Sequence, residues 1–221
     1  MFAPIYIDQQ DALYPNALRS DLADHAPAMI VARGNLDILV GRGTACRAPT
    51  VALFCSVQCS SAIILQTYDL ARALRDARVT VISGFHSPME KECLNILLDG
   101  TQPVIVCPAR SIEHLRLPAD WKAALLQGRL LLLSPFAEKE HRATTGRAQR
   151  RNEFVAALAD IVLIAHATPG GKTERFCRIL LGWGKPPLAL ENNENAHLFN
   201  LGAVPARSES LVPLHIPSRI T

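Results

Sequence analysis

The stretch TPGGKTE, residues 168–174, contains the glycines and the lysine that proteins use to hold phosphate. A P-loop of the form G-x-x-x-x-G-K-[ST] would need its first glycine at position 166, where His166 stands, so a P-loop is excluded. The stretch nevertheless joins an apolar run to an amphipathic one. Gly170 and Gly171 would then leave the first backbone N–H groups of a helix open beside the cation of Lys172. We predict an anion or phosphate site here, with a plain strand-to-helix turn as the alternative.

A basic segment, RAQRRNE at residues 147–153, is the second candidate for phosphate binding. Arg147, Arg150 and Arg151 are spaced by three and four residues, which predicts a shared side of a helix, and Asn152 continues it. Guanidinium groups bind phosphate through paired N–H donors. The segment therefore predicts a basic edge for a nucleotide or a nucleic acid, with a solvated helix face as the alternative.

Two further loops carry polar residues. Ser83 and Gly84 open SGFHSPMEKE and predict a tight turn, whereas His86 in that loop is expected to be exposed or structural rather than catalytic. The segment CSVQCSS (55–61) has no glycine, which excludes a dinucleotide fingerprint. Its C-x₃-C pair lacks a second Cys or His pair at zinc-finger spacing, so no metal site is predicted. No cofactor is predicted either.

The composition describes a folded chain of ordinary charge. The 221 residues suffice for one sizeable α/β domain, and a net charge of +3 is too small to indicate nucleic-acid binding by itself. We see no secretory leader and no apolar run near the roughly 18–20 residues of a membrane span. We therefore expect a cytoplasmic protein, without membrane contact, whose six cysteines are reduced and mostly buried.

Short β-branched runs alternate with longer amphipathic stretches from residue 50 onward. This alternation predicts an α/β fold with a doubly wound, mostly parallel Rossmann-like sheet and helices on both faces. Ligands of such sheets bind beyond the carboxyl ends of the strands, which is where the loops above would lie. We predict an N-terminal extension packed on the core (1–48), a Rossmann-like domain (49–204) and an extended or flexible tail (205–221).

Several segments in a fixed order resemble the DprA/Smf family of DNA-processing proteins. They are DALYPNALRS, PAMIVARGNLDIL, the stretch VTVISGFHSPMEKECLNILLDGTQPVIV and the stretch RRNEFVAALADIVLIAHATPGGKTERFCRILLGWGKPPLAL. The resemblance runs from about Asp11 to Gly202. It implies an extended Rossmann fold, single-stranded DNA as ligand, a homodimer, and a role in DNA uptake in which the RecA recombinase is loaded. The matching positions are Ser83, Gly84, Arg150, Arg151, Asn152, Gly170, Gly171 and Lys172.

The sequence departs from that family at two loops. Cys55-Ser56-Val57 stands where the family usually has Gly-(Ser/Thr)-Arg, and Ser87 to Glu90 replaces a Gly-Ile-Asp. Phe85 and Phe136 are the loop aromatics that could stack on bases.

The loop TPGGKTE is also similar to a shortened Pro-Gly-Gly-x-Gly-Thr-x-x-Glu loop of the Lonely Guy, or lysine-decarboxylase-like, proteins. That resemblance implies hydrolysis of nucleoside monophosphates, with Arg150 or Arg151 on phosphate or ribose and Glu174 as the acid/base. A nucleotide sensor without catalysis is a third hypothesis. We rank DNA binding first because its resemblance covers most of the chain, which favours a protein that is not an enzyme.

Overall fold

The fold is taken from a computed structural model, which describes residues 3–40 and 49–207. Strands and helices alternate along most of this length. In chain order they are β1 (Ile5–Asp8), α1 (Asn16–Leu22), β2 (Met29–Gly34), α2 (Asp37–Val40), β3 (Thr50–Cys55), α3 (Ser61–Asp76), β4 (Thr80–Ser83), α4 (Pro88–Leu98), β5 (Val104–Val106), α5 (Ala119–Leu126), β6 (Leu130–Ser134), α6 (Thr145–Leu158), β7 (Ile161–His166), α7 (Lys172–Gly182), β8 (Leu188–Leu190), α8 (Ala196–Leu201) and β9 (Val204–Ala206).

All the strands belong to one sheet, in the order β1-β2-β6-β5-β4-β3-β7-β8-β9. The seven strands from β6 to β9 in that order run parallel, whereas β1 and β2 add an antiparallel edge. From β3, the strands β4, β5 and β6 follow one another toward one side of the sheet, and β7, β8 and β9 follow one another toward the other side. The prediction of a doubly wound, mostly parallel Rossmann-like sheet is therefore confirmed.

The central strands are apolar on both sides because helices cover both faces of the sheet. Every residue of β3, TVALFC, is buried. Alternate residues of the strands contribute to two cores. Helices α1, α6, α7 and α8 pack over one face, and α3, α4 and α5 pack over the other.

Local sequence signals explain where individual helices begin. Ser87 caps α4 by accepting a hydrogen bond from the Glu90 amide, the Glu90 carboxylate accepts one from the Ser87 amide, and Pro88 occupies the first turn. Ser60 caps α3, and Thr144 caps α6 through the Arg147 amide. These caps fix the starts of three helices at the carboxyl edge of the sheet, where the predicted site lies.

The N-terminal segment joins the sheet through β1 and β2. Tyr14 is buried, and its hydroxyl donates to the Pro27 carbonyl (2.7 Å), which ties the turn before α1 to the start of β2. Strand β9 crosses position 204, the predicted end of the Rossmann-like domain. Residues 41–48 and 208–221 lie outside the described residues, so the division at 48 and the nature of the tail remain predictions. No helix in the described ranges has the length and apolar character to cross a membrane.

Candidate functional site

The strand order reverses between β3 and β7, and the predicted phosphate loop lies at that reversal. Cys55, the last residue of β3, pairs with His166, the last residue of β7. The loops that follow these strands lead to α3 and α7, which start on opposite faces of the sheet. Such a switch point is the usual place for a ligand in an open α/β sheet.

Ser56 fastens the two switch-point loops to each other. Its amide donates to the His166 carbonyl (2.9 Å). Its hydroxyl accepts from the Thr168 amide (3.0 Å) and donates to Thr173 Oγ1 (3.2 Å). A small hydroxyl residue thus holds the TPGGKTE segment in place, a role that no sequence motif indicates.

The start of α7 is open at the carboxyl edge. Gly171 is its N-cap and offers no side chain, so no side-chain acceptor caps the first turn. Lys172 and Arg175 are exposed on that turn, and neither side chain makes a hydrogen bond or an ion pair with any described residue. Helix N-termini attract anions, and two cations strengthen the attraction. The sequence reading named Lys172 and missed Arg175, which lies three residues on and therefore on the same side of the helix.

Glu174, the acid/base of the hydrolase hypothesis, has its carboxylate engaged by neighbouring groups at the start of α7. The Gly170 amide donates to its Oε2 (2.9 Å), Arg178 donates to its Oε1 (2.9 Å), and His197 Nε2 lies 3.6 Å away. Gly170 has a φ of +71°, a conformation that favours glycine. The Gly170 hydrogen bond and then Arg178 hold the pKa of the Glu174 carboxyl below its ordinary value. The carboxylate therefore stays ionised, which does not favour a general acid.

We expect Glu174→Gln to destabilise the protein at neutral pH and progressively less in acid. A depressed pKa contributes stability above the ordinary pKa of 4.5, and that contribution is lost as the pH falls through the lower folded value. Denaturant unfolding of both proteins between pH 7 and pH 3 measures the difference. Exposed Glu92, replaced likewise, controls for the loss of a negative charge. A difference that stays constant with pH would contradict this role.

Asn195 joins β7, β8 and the start of α8 behind the switch point. This fully buried side chain donates from Nδ2 to the carbonyls of Ala165 and Leu190 (2.9 Å each). These bonds orient the amide, so Oδ1 is the acceptor facing His166 Nδ1 (3.0 Å) and Nδ1 carries a proton. His166, which excludes the P-loop, is thus a buried residue held in one tautomer.

We expect Asn195→Ala to lower the free energy of unfolding by about 3 kcal/mol, because it leaves two buried carbonyls and a histidine N–H without partners. Denaturant unfolding measures the loss. Asn193→Ala, at a nearby exposed position, should change the same quantity by no more than about 0.5 kcal/mol. Equal effects of the two substitutions would show that the network is not stabilising.

Arg151 is buried at the carboxyl ends of β4 and β5. It is 5% exposed, and its Nη1 donates to the Cys107 carbonyl (3.1 Å) while its Nε donates to Asn152 Oδ1 (2.8 Å). A Cβ built on Gly84 would lie 0.9 Å from Nη1, so the guanidinium occupies the space that the missing side chain leaves. Burial lowers the pKa of Arg151, and the Glu90 carboxylate opposes that shift.

Ser83 and Glu90 complete this buried assembly. The Ser83 hydroxyl donates to the Leu53 carbonyl (2.7 Å) and accepts from the Phe85 amide (3.3 Å). Glu90 accepts from the amides of Cys55 (3.1 Å) and His86 (2.8 Å). Ser83, Gly84, Arg151 and Asn152 therefore make contacts that shape the ends of β3, β4 and β5, and direct phosphate contact by them remains a prediction.

The three arginines lie on α6 as predicted but have different surroundings, and phosphate binding by them remains a prediction. Arg147 pairs with Glu140 (3.1 Å) and also donates to the Arg142 carbonyl (2.8 Å). The exposed Arg150 lies over the ring of Phe136, 5.5 Å from its centroid. Neighbouring helical residues point about 100° apart, so Arg150 and Arg151 contact different parts of the fold.

The two loop aromatics are core residues rather than stacking surfaces. Phe85 is 4% exposed and Phe136 is 1% exposed. Phe85 has a φ of +45°, which turns the chain directly after Gly84. His86 is exposed, as expected. Base stacking on either phenylalanine is excluded in this conformation.

Other cations extend the same edge of the sheet. Arg110 follows β5, and Lys139 and Arg142 follow β6; all three are exposed. Burial acts to raise the pKa of the Glu140 carboxyl, but hydrogen bonds from Arg147 and the Ala137 amide together bring it below its ordinary value. The sequence reading did not include these loop cations, because only the topology brings them to the edge that holds Lys172.

Comparisons with known proteins agree with this architecture. The sequence model described as DNA recombination-mediator protein A matches residues 5–174. No curated protein matches the sequence. Among solved structures, DNA processing protein A (DprA) from Streptococcus pneumoniae superposes with a TM-score of 0.75 at 20% identity, over 96% of this chain and 73% of that chain.

Two more structures share the fold. DNA processing protein A from Helicobacter pylori, described for its single-stranded DNA binding mode, gives a TM-score of 0.74 at 20% identity over 96% of this chain and 94% of that chain. The molybdenum cofactor binding protein from Rippkaea orientalis gives 0.53 at 14% identity, over 77% of this chain and 96% of that one. At these identities the matches show a common fold.

Proposed function

The chain belongs to the DNA recombination-mediator protein A family, and from that premise we propose that it binds single-stranded DNA through phosphate contacts at the carboxyl edge of its sheet. The observation that carries the proposal is the first turn of α7 at the switch point, which has no side-chain cap and carries two exposed cations, Lys172 and Arg175, that form no ion pair with any residue of ranges 3–40 and 49–207.

The backbone of α7 and its cations would form the centre of the interface. The first amides of α7 have no acceptor within the helix, and an anion can accept from them. Gly171 allows the tight turn before them, because a Cβ there would lie 2.7 Å from the Thr168 carbonyl oxygen. Lys172 and Arg175 supply positive charge. Arg110, Lys139 and Arg142 extend the path along the same carboxyl edge to β6, the last parallel strand on the other side of the switch point.

The binding mode we propose is sequence-independent. Phosphate contacts carry no base information, and Phe85 and Phe136 are unavailable for stacking because they are buried. The buried assembly of Ser83, Gly84 and Arg151 would act indirectly, by holding the ends of β4 and β5 in position.

Titration of a fluorescent thymidine oligonucleotide at several salt concentrations tests the proposal. The logarithm of the binding constant should fall with the logarithm of salt concentration at a slope of roughly −0.7 per phosphate contacted. No binding at low salt would refute the proposal. Release of free base from nucleoside monophosphates would instead favour the hydrolase hypothesis, and thermal stabilisation by a mononucleotide without turnover would favour the sensor.

The family description as a recombination mediator leads us to propose two partners as well, a second copy of this chain and a RecA-type recombinase. Sedimentation of the purified protein would show a dimer. Recombinase filament formation on coated single strands, with and without the protein, would show loading. A monomer at micromolar concentration would refute the first, and an unchanged filament rate would refute the second.

A further inference from the structure

Two thiols lie within reach of each other at the end of β3. The sulfurs of Cys55 and Cys59 are 3.4 Å apart, four residues along the chain. A disulfide needs about 2.05 Å between sulfurs, so a shift of little more than 1 Å in a loop would join them. Cys93, Cys107 and Cys177 are buried in the two cores. The remaining cysteine, Cys46, lies outside the described residues.

The two thiols have unequal surroundings. Cys59 is half-buried in the loop before α3, where small molecules can reach it, whereas Cys55 is buried and its amide donates to Glu90. A hydrogen bond from Cys55 lowers the pKa of the Cys59 thiol. The same contact, together with burial, raises the pKa of Cys55. A half-buried thiol with a lowered pKa beside a buried partner is the arrangement of an attacking and a resolving cysteine.

We propose that Cys55 and Cys59 form a redox-active dithiol whose substrates are low-molecular-weight disulfides. The Cys59 thiolate attacks one sulfur of the small disulfide, forms a mixed disulfide and releases one small thiolate. Cys55 then gives its proton to solvent, and its sulfur attacks Cys59 Sγ and releases the second small thiolate. Two protein thiols are oxidised to one disulfide, and one small disulfide is reduced to two thiols.

Cys55 and Cys59 lie on either side of Ser56, the residue that connects the two loops of the switch point. Cys59 Sγ contacts the Ser56 carbonyl (3.3 Å), and the Ser56 hydroxyl holds the loop before α7. An effect of oxidation on DNA binding would rest on the proposed function, whereas the thiol chemistry does not. Measuring the oxidation state of the cysteines therefore tests the thiol chemistry independently of DNA binding.

Oxidised glutathione is the probe. The parent protein for all variants carries Cys46→Ser, so that Cys46 cannot react. We expect intact mass spectrometry to show the loss of two hydrogen atoms, and peptide mapping to find one disulfide between Cys55 and Cys59. Adding Cys55→Ser should trap a glutathione adduct on Cys59. Adding Cys59→Ser should slow all adduct formation by about tenfold or more, because the remaining thiols are buried. Adding Cys93→Ser is the matched control, and the disulfide should still form.

Two results would overturn the proposal. One is a peptide map that finds no Cys55–Cys59 disulfide in the parent protein after treatment with oxidised glutathione and alkylation of the free thiols. This result counts even if a serine variant at position 55 or 59 folds poorly. The other is a Cys59→Ser variant that reacts as fast as its parent, since the accessible thiol would then lie elsewhere.

Discussion

Replacing Lys172 and Arg175 together by glutamine is expected to weaken single-stranded DNA binding by at least about tenfold at low salt. Both side chains stand on the uncapped first turn of α7 and have no partner among the described residues, so their charge is available to phosphate. Each lost phosphate contact removes about 0.7 from the salt slope of single-strand binding. The slope should therefore become shallower by about 1.4, which separates lost phosphate contacts from a general weakening.

A charge-matched variant at the opposite edge makes the test specific. Arg72 and Arg78 are exposed at the end of α3 and just before β4, at the amino edge of the sheet. Replacing them by glutamine removes the same charge and should leave the salt slope unchanged. Equal losses of affinity in the two double variants would indicate attraction to net charge and would contradict an interface at α7.

Gly84→Ala is expected to cost about 2 kcal/mol of unfolding free energy, an effect that its half-buried position alone would not suggest. The backbone at Gly84 tolerates alanine, but the new Cβ would lie 0.9 Å from Arg151 Nη1. The guanidinium would have to leave the Cys107 carbonyl and the neighbourhood of the Glu90 carboxylate. Displacing a buried hydrogen-bonded charge is costly because its former partners lose their compensation.

A double-mutant cycle identifies the cause. Arg151→Ala should itself cost about 3 kcal/mol, because it leaves a cavity, removes the hydrogen bond to the Cys107 carbonyl and takes away the cation nearest the buried Glu90 side chain. In that background Gly84→Ala should cost at least about 1 kcal/mol less than in the parent protein, since the clash has gone. Denaturant unfolding gives all four values. Gly146→Ala, in the first turn of α6 with open space around it, is the control and should not destabilise.

Additive costs in this cycle would contradict the interlocking of Gly84 with Arg151. The DNA affinity of folded Arg151→Ala also distinguishes two roles for this arginine. If Arg151 contacts phosphate directly, Arg151→Ala should make the salt slope shallower by about 0.7. If Arg151 only positions the strand ends, the variant should bind more weakly with a nearly unchanged slope.

The fold could be predicted from sequence because its signals are local and repeated. Apolar β-branched runs mark β3, β4 and β7, and the capping box of Ser87 and Glu90 marks the start of α4. The alternation of strands with helices leaves few ways to cover a parallel sheet. The Gly171 turn was likewise placed correctly at a strand end that opens a helix.

The chemistry of individual side chains could not be read in the same way. The spacing of Arg150 and Arg151 predicts the angle between their side chains around α6. It does not predict that the Arg151 guanidinium fills the space beside Gly84. Ser56, Asn195 and Phe136 take their roles from residues far away along the chain, such as Thr168, Ala165 and Arg150. Arg175 is the exception, because its spacing of three residues from Lys172 on a helix already places both on one side.

The reversal of strand order between β3 and β7 also sets when the site can assemble during folding. Thr50 and Asp160 meet at the start of these strands across 110 residues, and Ser56 reaches Thr173 across 117. Forming these contacts closes loops of more than 100 residues, and the entropy cost of closure rises with loop length. Contacts of such range form slowly compared with the hairpin-length and helical ones. We infer that the switch point, with the first turn of α7, is among the last parts of the fold to form.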